Sequence, residues 1–242
     1  MFITGNATEP VSFSIEDCTL NCNSFYIFCE SKAGGFLKDV TINNSVINFT
    51  RGLWGNTSAL TSGTELTNFT KFHVSNSVLY NKTSVAYPLF PFRPSSTTYY
   101  ATPNLDIKLD HCTLYNTQSN NLGVLALYNA SKVNFNYCVC EAPLAGKAST
   151  IVMVPAVLEP KVTDSTISNN YGNNSAANDL KWAYGYSAAT NSGITVSGNK
   201  FVIGATPFSS ADTATGYFPV NTTVVTNGAG ASYSTKLWKT WE

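Results

Sequence analysis

The sequence predicts an all-β chain folded as a right-handed parallel β-helix of about seven coils. Three observations lead to this class: a short unit recurs along the chain, each unit alternates apolar and polar residues, and the units follow one another at unequal intervals. A helical solenoid would keep a fixed period and show a spacing of about 3.6 residues. A β-helix tolerates unequal intervals, because the loops between its strands can lengthen without disturbing the stack.

The recurring unit reads apolar, polar, apolar, polar, turn-forming, small, variable, apolar. Its first two copies are 13–20 and 40–47, and the small position recurs at residues 18, 45, 77, 112, 138, 165 and 199. Additional apolar stretches at 25–28, 124–127 and 151–154 predict two or three strands per coil. The units span most of the chain, so residues 1–242 are expected to form a single domain.

Alignment of the units predicts two columns of inward-facing side chains. The first column contains Ile15, Ile42, Val74, Leu109, Phe135, Val162 and Val196. The second column contains Leu20, Ile47, Leu79, Leu114, Cys140, Ile167 and Phe201. The small position is occupied mostly by Cys and Ser, which predicts a stack of small core groups rather than disulfides, because directly stacked parallel strands rarely supply the torsion that a disulfide needs.

One outward column alternates in charge along the stack. It contains Asp39, Lys71, Asp106, Lys132 and Glu159, each six residues before the small position. Neighbouring strands lie about 4.8 Å apart, so opposite charges in such a column would attract one another and oppose slips of register. The column is therefore interpreted as a device for stability and register.

Composition excludes several classes of function. The net charge is zero and only 12% of residues are charged, which argues against nucleic acid as a partner. No apolar run is long enough to span a membrane, and the N-terminus lacks the pattern of a signal peptide. The Cys and His spacings predict neither a metal site nor a cofactor, and a monomer is expected.

One polar cluster raises the possibility of catalysis. Asp106, Lys108 and Asp110 are expected on one outward face, with His73 beside Lys108 on the preceding coil and His111 next in sequence. Such groups can abstract a proton next to a uronate carboxylate. However, the neighbouring coils place Ser and Asn beside Asp110, so no second carboxylate is predicted there for calcium. A solvated, partly paired face is the alternative interpretation.

Exposed aromatic residues are the other candidates for ligand binding. The proline-rich segment 85–94, continuing to Tyr99 and Tyr100, predicts an insertion outside the stack, because proline interrupts strand pairing. Trp182, Tyr184 and Tyr186 alternate so that their rings share one face of a strand; pointing outward they would form a sugar platform, and pointing inward they would belong to the core. The candidate ligand-binding residues are Tyr87, Phe90, Phe92, Arg93, Tyr99, Tyr100, Trp182, Tyr184 and Tyr186.

The last segment, 216–242, breaks the repeat and is predicted to cap the final coil through Tyr217, Phe218, Leu237 and Trp238. Its Asn-Gly-Ala-Gly-Ala-Ser-Tyr sequence and closing Thr-Lys-Leu-Trp, together with the repeated units, resemble the pectate-lyase-like domains of unknown function in secreted proteins of gut Bacteroidetes. The resemblance implies export to the cell surface as part of a lipoprotein, with Met1 beginning a fragment of a longer protein. It also implies a role near polysaccharide capture, without catalytic residues.

The sequence therefore predicts a non-catalytic extracellular or outer-membrane-surface domain that binds a polysaccharide or oligosaccharide, or serves as a scaffold for its capture. Two alternatives stay open. One is a polysaccharide lyase or glycoside hydrolase acting on acidic glycans through Asp106, Lys108, Asp110 and His73. The other is an adhesin-type stalk that presents other domains.

Overall fold

A computed structural model provides the structure of the protein. It describes residues 11–22, 26–28, 37–49, 54–57, 71–81, 90–94, 105–116, 125–127, 130–142, 152–153, 164–174, 194–203, 208 and 219–232. These residues contain strands and no helix, and the strands lie in three sheets with parallel pairing throughout.

Each sheet is a stack of strands from successive coils. The first sheet contains β1 (Val11–Glu16), β4 (Leu37–Asn43), β7 (Lys71–Ser75), β10 (Leu105–Asp110), β13 (Ala130–Asn136), β16 (Ser165–Ser168) and β18 (Ile194–Ser197). The second sheet contains β2 (Thr19–Cys22), β5 (Val46–Phe49), β8 (Val78–Asn81), β11 (Thr113–Asn116), β14 (Val139–Ala142), β17 (Tyr171–Asn174) and β19 (Lys200–Ile203). The third sheet contains β3 (Tyr26–Phe28), β6 (Trp54–Thr57), β9 (Phe90–Pro94), β12 (Leu125–Leu127) and β15 (Val152–Met153). This stacking is consistent with a parallel β-helix, and the predicted all-β class is confirmed.

The inward columns follow the predicted register for the first five units. Ile42, Val74, Leu109 and Phe135 stack on one another in the first sheet and are fully buried. Successive side chains of a strand point to opposite faces, so this alternation places apolar columns of the first and second sheets inside the stack. The core is continuous because each strand covers the apolar groups of the strand before it.

The prediction for the sixth unit is wrong by five residues. Ile167 pairs with Phe135 and with Val196, so it occupies the place predicted for Val162. Gly172 then lies between Cys140 and Phe201, where Ile167 was expected. The small position of this unit is Asn170 instead of Ser165, since the Cys138 amide donates to Asn170 Oδ1. The true unit, 165–172, was missed because it has Ser and Gly at two of its three apolar positions.

The third sheet confirms the additional strands and corrects one segment. Strands β3, β12 and β15 lie within the three predicted apolar stretches. The insertion predicted at 85–94 is wrong for its second half, because Phe90, Phe92 and Arg93 belong to β9, which pairs with β6 and β12. Alternation of Phe90 and Phe92 fits a stacked strand, and the two prolines each remove only one donor from the ladder.

The corner between the first and second sheets holds an inner column of small polar groups. This inner corner column consists of Cys18, Ser45, Ser77, Cys112, Cys138, Asn170 and Asn199. Ser45 Oγ donates to the Asn43 carbonyl at 2.7 Å and accepts from the Cys18 amide at 3.2 Å. Ser77 Oγ repeats both contacts one strand later, donating to the Ser75 carbonyl and accepting from the Ser45 amide. The position therefore requires a small donor–acceptor group, which explains why Ser, Cys and Asn share it.

The residue before each inner position forms an outer corner column that faces away from the core. All its members have positive φ: Asp17, Asn44, Asn76, His111, Tyr137, Asn169 and Gly198. This left-handed conformation is the easiest for Gly and relatively accessible to Asn and Asp. The first three side chains form a ladder, in which Asn44 Nδ2 donates to Asp17 Oδ1 and Asn76 Nδ2 donates to Asn44 Oδ1.

The alternating charge column is in register for its first four members. Lys71 lies between Asp39 and Asp106, and Lys132 lies on the other side of Asp106. Glu159, the fifth predicted member, lies outside the described residues. In the corrected register of the sixth unit, Asp164 stands six residues before the small position, directly before β16 begins.

Free thiols lie in and beside the inner column. Cys112 and Cys138 belong to the column and are fully buried, Cys18 belongs to it and is partly buried, and Cys140 is fully buried in β14. Burial raises the pKa of the Cys138 thiol well above its usual value, and the Cys112 side chain adds to this effect. Burial likewise raises the pKa of Cys140. The buried cysteines pack as small core groups, as predicted, and the raised pKa keeps the Cys138 and Cys140 thiols neutral.

Candidate functional site

The predicted polar cluster lies on the outer face of the first sheet. Asp106, Lys108 and Asp110 all point outward from β10 and are each partly exposed. Lys108 pairs in register with His73 of β7, and Asp110 pairs with Ser75. The arrangement of these four predicted residues on one face is therefore confirmed.

Their side chains form separate pairs instead of one converging group. His73 Nε2 lies 3.3 Å from Asp106 Oδ2, and Lys108 Nζ lies 3.5 Å from Asp110 Oδ2. Asp106 and Asp110 are four residues apart on one strand, which separates their Cα atoms by about 13 Å. A two-carboxylate glycosidase needs carboxyl groups about 5–9.5 Å apart. The cluster therefore does not fit that mechanism.

A pair of aromatic rings marks the corner beside Asp110. His111 and Tyr137 stack with ring centroids 4.9 Å apart and planes only 5° from parallel. His111 Nδ1 lies 3.1 Å from Asp110 Oδ1, and a carboxylate can only accept a hydrogen bond, so Nδ1 carries the proton. In the neutral ring Nε2 is then an acceptor. Asp110 thus contacts Lys108 through Oδ2 and His111 through Oδ1.

A groove of about 270 Å³ opens at this corner. We call it the corner groove; it is lined by Ser75, Asn76, Asp110, His111, Gly228, Gly230 and Ser232. One wall is the outer corner of the stack and the other is the C-terminal segment. Every side chain in the lining carries a hydrogen-bonding group, and the two glycines expose backbone to it.

The second wall belongs to a segment that runs along the side of the stack. We call residues 219–232 the strap. The Gly230 amide donates to the Tyr137 carbonyl at 2.8 Å, and the Ser232 amide donates to Asn76 Oδ1 at 2.7 Å. This described part of the predicted cap therefore lies against the side of the stack. Tyr217, Phe218, Leu237 and Trp238 lie outside the described residues, and capping by them stays a prediction.

The predicted aromatic site is largely outside the described residues. Phe90, Phe92 and Arg93 have a described backbone in β9, and nothing is described of their side chains. The others that fall outside are Tyr87, Tyr99, Tyr100, Trp182, Tyr184 and Tyr186. Sugar binding by these residues stays a prediction.

Sequence reasoning missed the corner groove for two reasons. Tyr137 stands where most units have Asn or Asp, and this departure from the repeat was a signal that the alignment already contained. The strap residues Gly228, Gly230 and Ser232 were interpreted as part of an end cap. Nothing in a linear sequence indicates which side of the stack such a segment covers.

The described residues contain no group of three or more His, Cys, Asp or Glu that could hold a metal ion. They also contain no helix long and apolar enough to cross a bilayer. Comparison of the chain with protein-family models, with curated proteins and with solved structures gives no match.

Proposed function

We propose that this chain is a non-catalytic, extracellular or cell-surface domain that binds a polysaccharide or oligosaccharide, and that the corner groove is its binding site. The observation that carries the proposal is the pair His111 and Tyr137. Both have left-handed backbone conformations, with φ of 51° and 52°. A large ring residue adopts this conformation at a cost of about 1–3 kcal/mol, and such residues cluster at functional sites.

The outer corner column shows that the fold does not require rings there. The other members are Asp, Asn or Gly, which reach the same conformation more easily and extend a ladder of amide hydrogen bonds. His111, which lines the groove, and Tyr137, which stacks on His111, interrupt this ladder. Stacking of a typical aromatic pair contributes about 0.5–1.5 kcal/mol, which offsets part of the conformational cost. A local departure of this kind supports a role in binding.

The chemistry of the groove suits a hydroxyl-rich ligand. Asp110 and the hydroxyls of Ser75 and Ser232 can accept hydrogen bonds from a ligand, while the two serine hydroxyls donate to Asn43 Oδ1 and Asn76 Oδ1. The described hydrogen bond of His111 uses Nδ1, so Nε2 can bind a ligand. Small-molecule sites usually have volumes of about 300–1,000 Å³. A groove slightly smaller than this range fits one sugar unit, with the rest of a chain continuing over the polar face of the first sheet.

Other parts of the proposal rest on the sequence. The repeated units support about seven coils, and the aromatic residues of the last segment support an end cap. The resemblance supports the right-handed, pectate-lyase-like form and export as a fragment of a surface lipoprotein. A monomeric state is proposed as well. The aromatic residues of 87–100 and 182–186 would add sugar-stacking contacts to the same ligand. These features concern residues outside the described ranges or properties beyond a single chain.

A second candidate function is a polysaccharide lyase that acts on uronates. The contact between Asp110 and His111 favours it, because a carboxylate that fixes the Nδ1 proton leaves Nε2 as a general base. Lys108 would then offset the charge of the uronate carboxylate. A stalk without any ligand is the third possibility.

One experiment separates these functions. The protein is titrated with tetragalacturonic acid and with mannotetraose by calorimetry, while ultraviolet absorbance follows the formation of unsaturated uronate. We expect saturable binding of at least one probe and no unsaturated product. Product formation would instead establish the lyase, and the absence of binding to a wider panel of acidic and neutral glycans would favour the stalk.

A further inference from the structure

The strap crosses several coils in order. Asn227 Nδ2 donates to the Asn169 carbonyl at 3.0 Å, and Gly230 N donates to the Tyr137 carbonyl. Ala231 N donates to Thr113 Oγ1 at 3.0 Å. The strap thus runs back along the stack, from the sixth unit toward the third, and ends at Asn76. Each of these contacts is an isolated hydrogen bond to a side chain or a carbonyl. Among the described residues, the strap does not pair with the stack as a β-strand would.

Apolar contacts hold the strap against the second sheet. An outward column of β5, β8, β11, β14 and β17 contains Val46, Val78, Thr113, Val139 and Tyr171. Ala231 packs against Val46 and Val78, and Ala229 packs in a cluster with Val139 and Tyr171. The strap therefore covers an outward surface that would otherwise expose apolar side chains.

Gly230 determines how closely the strap can approach. Its φ is +89°, and a Cβ atom there would lie 2.6 Å from Val220 Cγ2 and 3.1 Å from both Thr113 Oγ1 and Val139 Cγ2. Gly228 has a similar φ of +76°, but a Cβ atom there would meet no described neighbour within 4 Å. A side chain at residue 230 would therefore push the strap away, whereas one at residue 228 would add only backbone strain.

We propose that the strap is the second half of the sugar site, and that a bound sugar and a docked strap stabilise one another. This inference rests on the proposed function. Ser75, Asn76, Asp110 and His111 form one wall of the corner groove, and Gly228, Gly230 and Ser232 form the other. A ligand that touches both walls binds the docked state more tightly than the undocked state. Its binding then shifts the strap toward docking, and undocking weakens its binding by the same factor.

The strap lies on the periphery of the stack. Residues 226–228 and Ser232 are exposed, whereas Val225 and residues 229–231 are buried, and hydrogen bonds join the strap to Asn169, Tyr137, Thr113 and Asn76. A peripheral segment opens at a lower free energy than the core strands that it covers. Strap opening can therefore occur while the stack stays folded.

Hydrogen exchange by mass spectrometry measures strap docking directly, through the amides of Gly230, Ala231 and Ser232. In the wild-type protein, saturating tetragalacturonic acid or mannotetraose, whichever binds, is expected to slow their exchange. Gly230→Ala is expected to speed their exchange about tenfold in the absence of sugar and to weaken sugar affinity by a factor of several, because the competent state is less populated. Gly228→Ala, measured in the absence of sugar, is the control for backbone strain. It should change the exchange rate of the strap amides much less than Gly230→Ala does.

A second variant covers the case in which Gly230→Ala does not fold. Thr113→Val, at a residue outside the groove lining, removes only the hydroxyl that accepts from the Ala231 amide and should change exchange and affinity in the same direction by smaller factors. Faster exchange in a variant whose sugar affinity is unchanged would overturn the inference but not the proposed function. The same conclusion would follow if a bound sugar did not change the exchange of the strap amides in the wild-type protein. If neither sugar binds the wild-type protein although its strap amides are protected, the proposed function fails, and the linkage fails with it.

Discussion

The inner and outer corner columns are adjacent in sequence but obey different rules. The inner column contains only Ser, Cys and Asn. Most members are buried, Ser45 and Ser77 bond backbone groups of two coils, and Asn170 bonds two backbone groups of the coil before it. The outer column contains Asp, Asn, His, Tyr and Gly, which share only a left-handed backbone. A buried position is restricted by packing and hydrogen bonding together, whereas the outer position is restricted by conformation alone. Different side chains can therefore occupy the outer column, including side chains that bind a ligand.

The largest expected effect is on the inner column. Ser77→Val removes the acceptor of the Ser45 amide and the donor to the Ser75 carbonyl, in a side chain that is fully buried. An unsatisfied buried polar group costs about 1–3 kcal/mol, so we expect the free energy of unfolding to fall by about 2–4 kcal/mol. Urea denaturation measures this change. Ser77→Cys keeps the donor and should cost less than half as much; equal losses in both variants would contradict the hydrogen-bonding explanation.

Alkaline pH tests, without mutation, the burial of Cys138 in the inner column and of Cys140 in β14. The pKa of Cys138 and of Cys140 is raised above the ordinary value of 9.0, first of all by burial. The unfolded chain therefore loses these protons at a lower pH than the folded chain. Their contribution to stability is fully present below pH 9 and decreases as pH rises further, by up to about 1.4 kcal/mol per pH unit for each thiol.

Urea unfolding at several pH values above 9 measures this decrease. Cys138→Ser replaces the thiol with a group that does not titrate in this range, so its stability should depend less steeply on pH than that of the wild-type protein. Equal slopes in the two proteins would show that other groups, such as Tyr80 and Tyr115, account for alkaline unfolding; burial raises the pKa of both tyrosines.

The fold could be predicted from the sequence because one short pattern of residues recurs along the chain and determines the structure locally. Alternation with a turn and a small residue determines both the strand register and the inward columns, so one alignment gave most of the stack. It failed at 165–172, where Ser165 and Gly172 occupy apolar positions, and the pattern was matched five residues too early. At β9 the two prolines argued against a strand, although Phe90 and Phe92 supplied the correct alternation.

The site was less predictable because half of it comes from a distant segment. Asp110 and its neighbours were placed on the correct face, since the register of β7 and β10 follows from the repeat. The strap meets Asn76 across 156 residues of sequence, and no periodicity relates these two regions. His111 and Tyr137, the two exceptions in the outer corner column, were the local indication in the sequence that this corner has a role beyond the fold.

The most direct test of the account replaces His111 with Asn, the residue that the outer column uses elsewhere. We expect the free energy of unfolding of His111→Asn to stay within about 1 kcal/mol of wild type, because lost ring stacking is offset by an easier left-handed conformation. Sugar affinity should fall about tenfold or more, as for one lost hydrogen-bonding group. Asp17→Asn, in the same column but away from the groove, should leave affinity unchanged. A His111→Asn variant that binds sugar as tightly as the wild-type protein would contradict the assignment of the corner groove as the binding site.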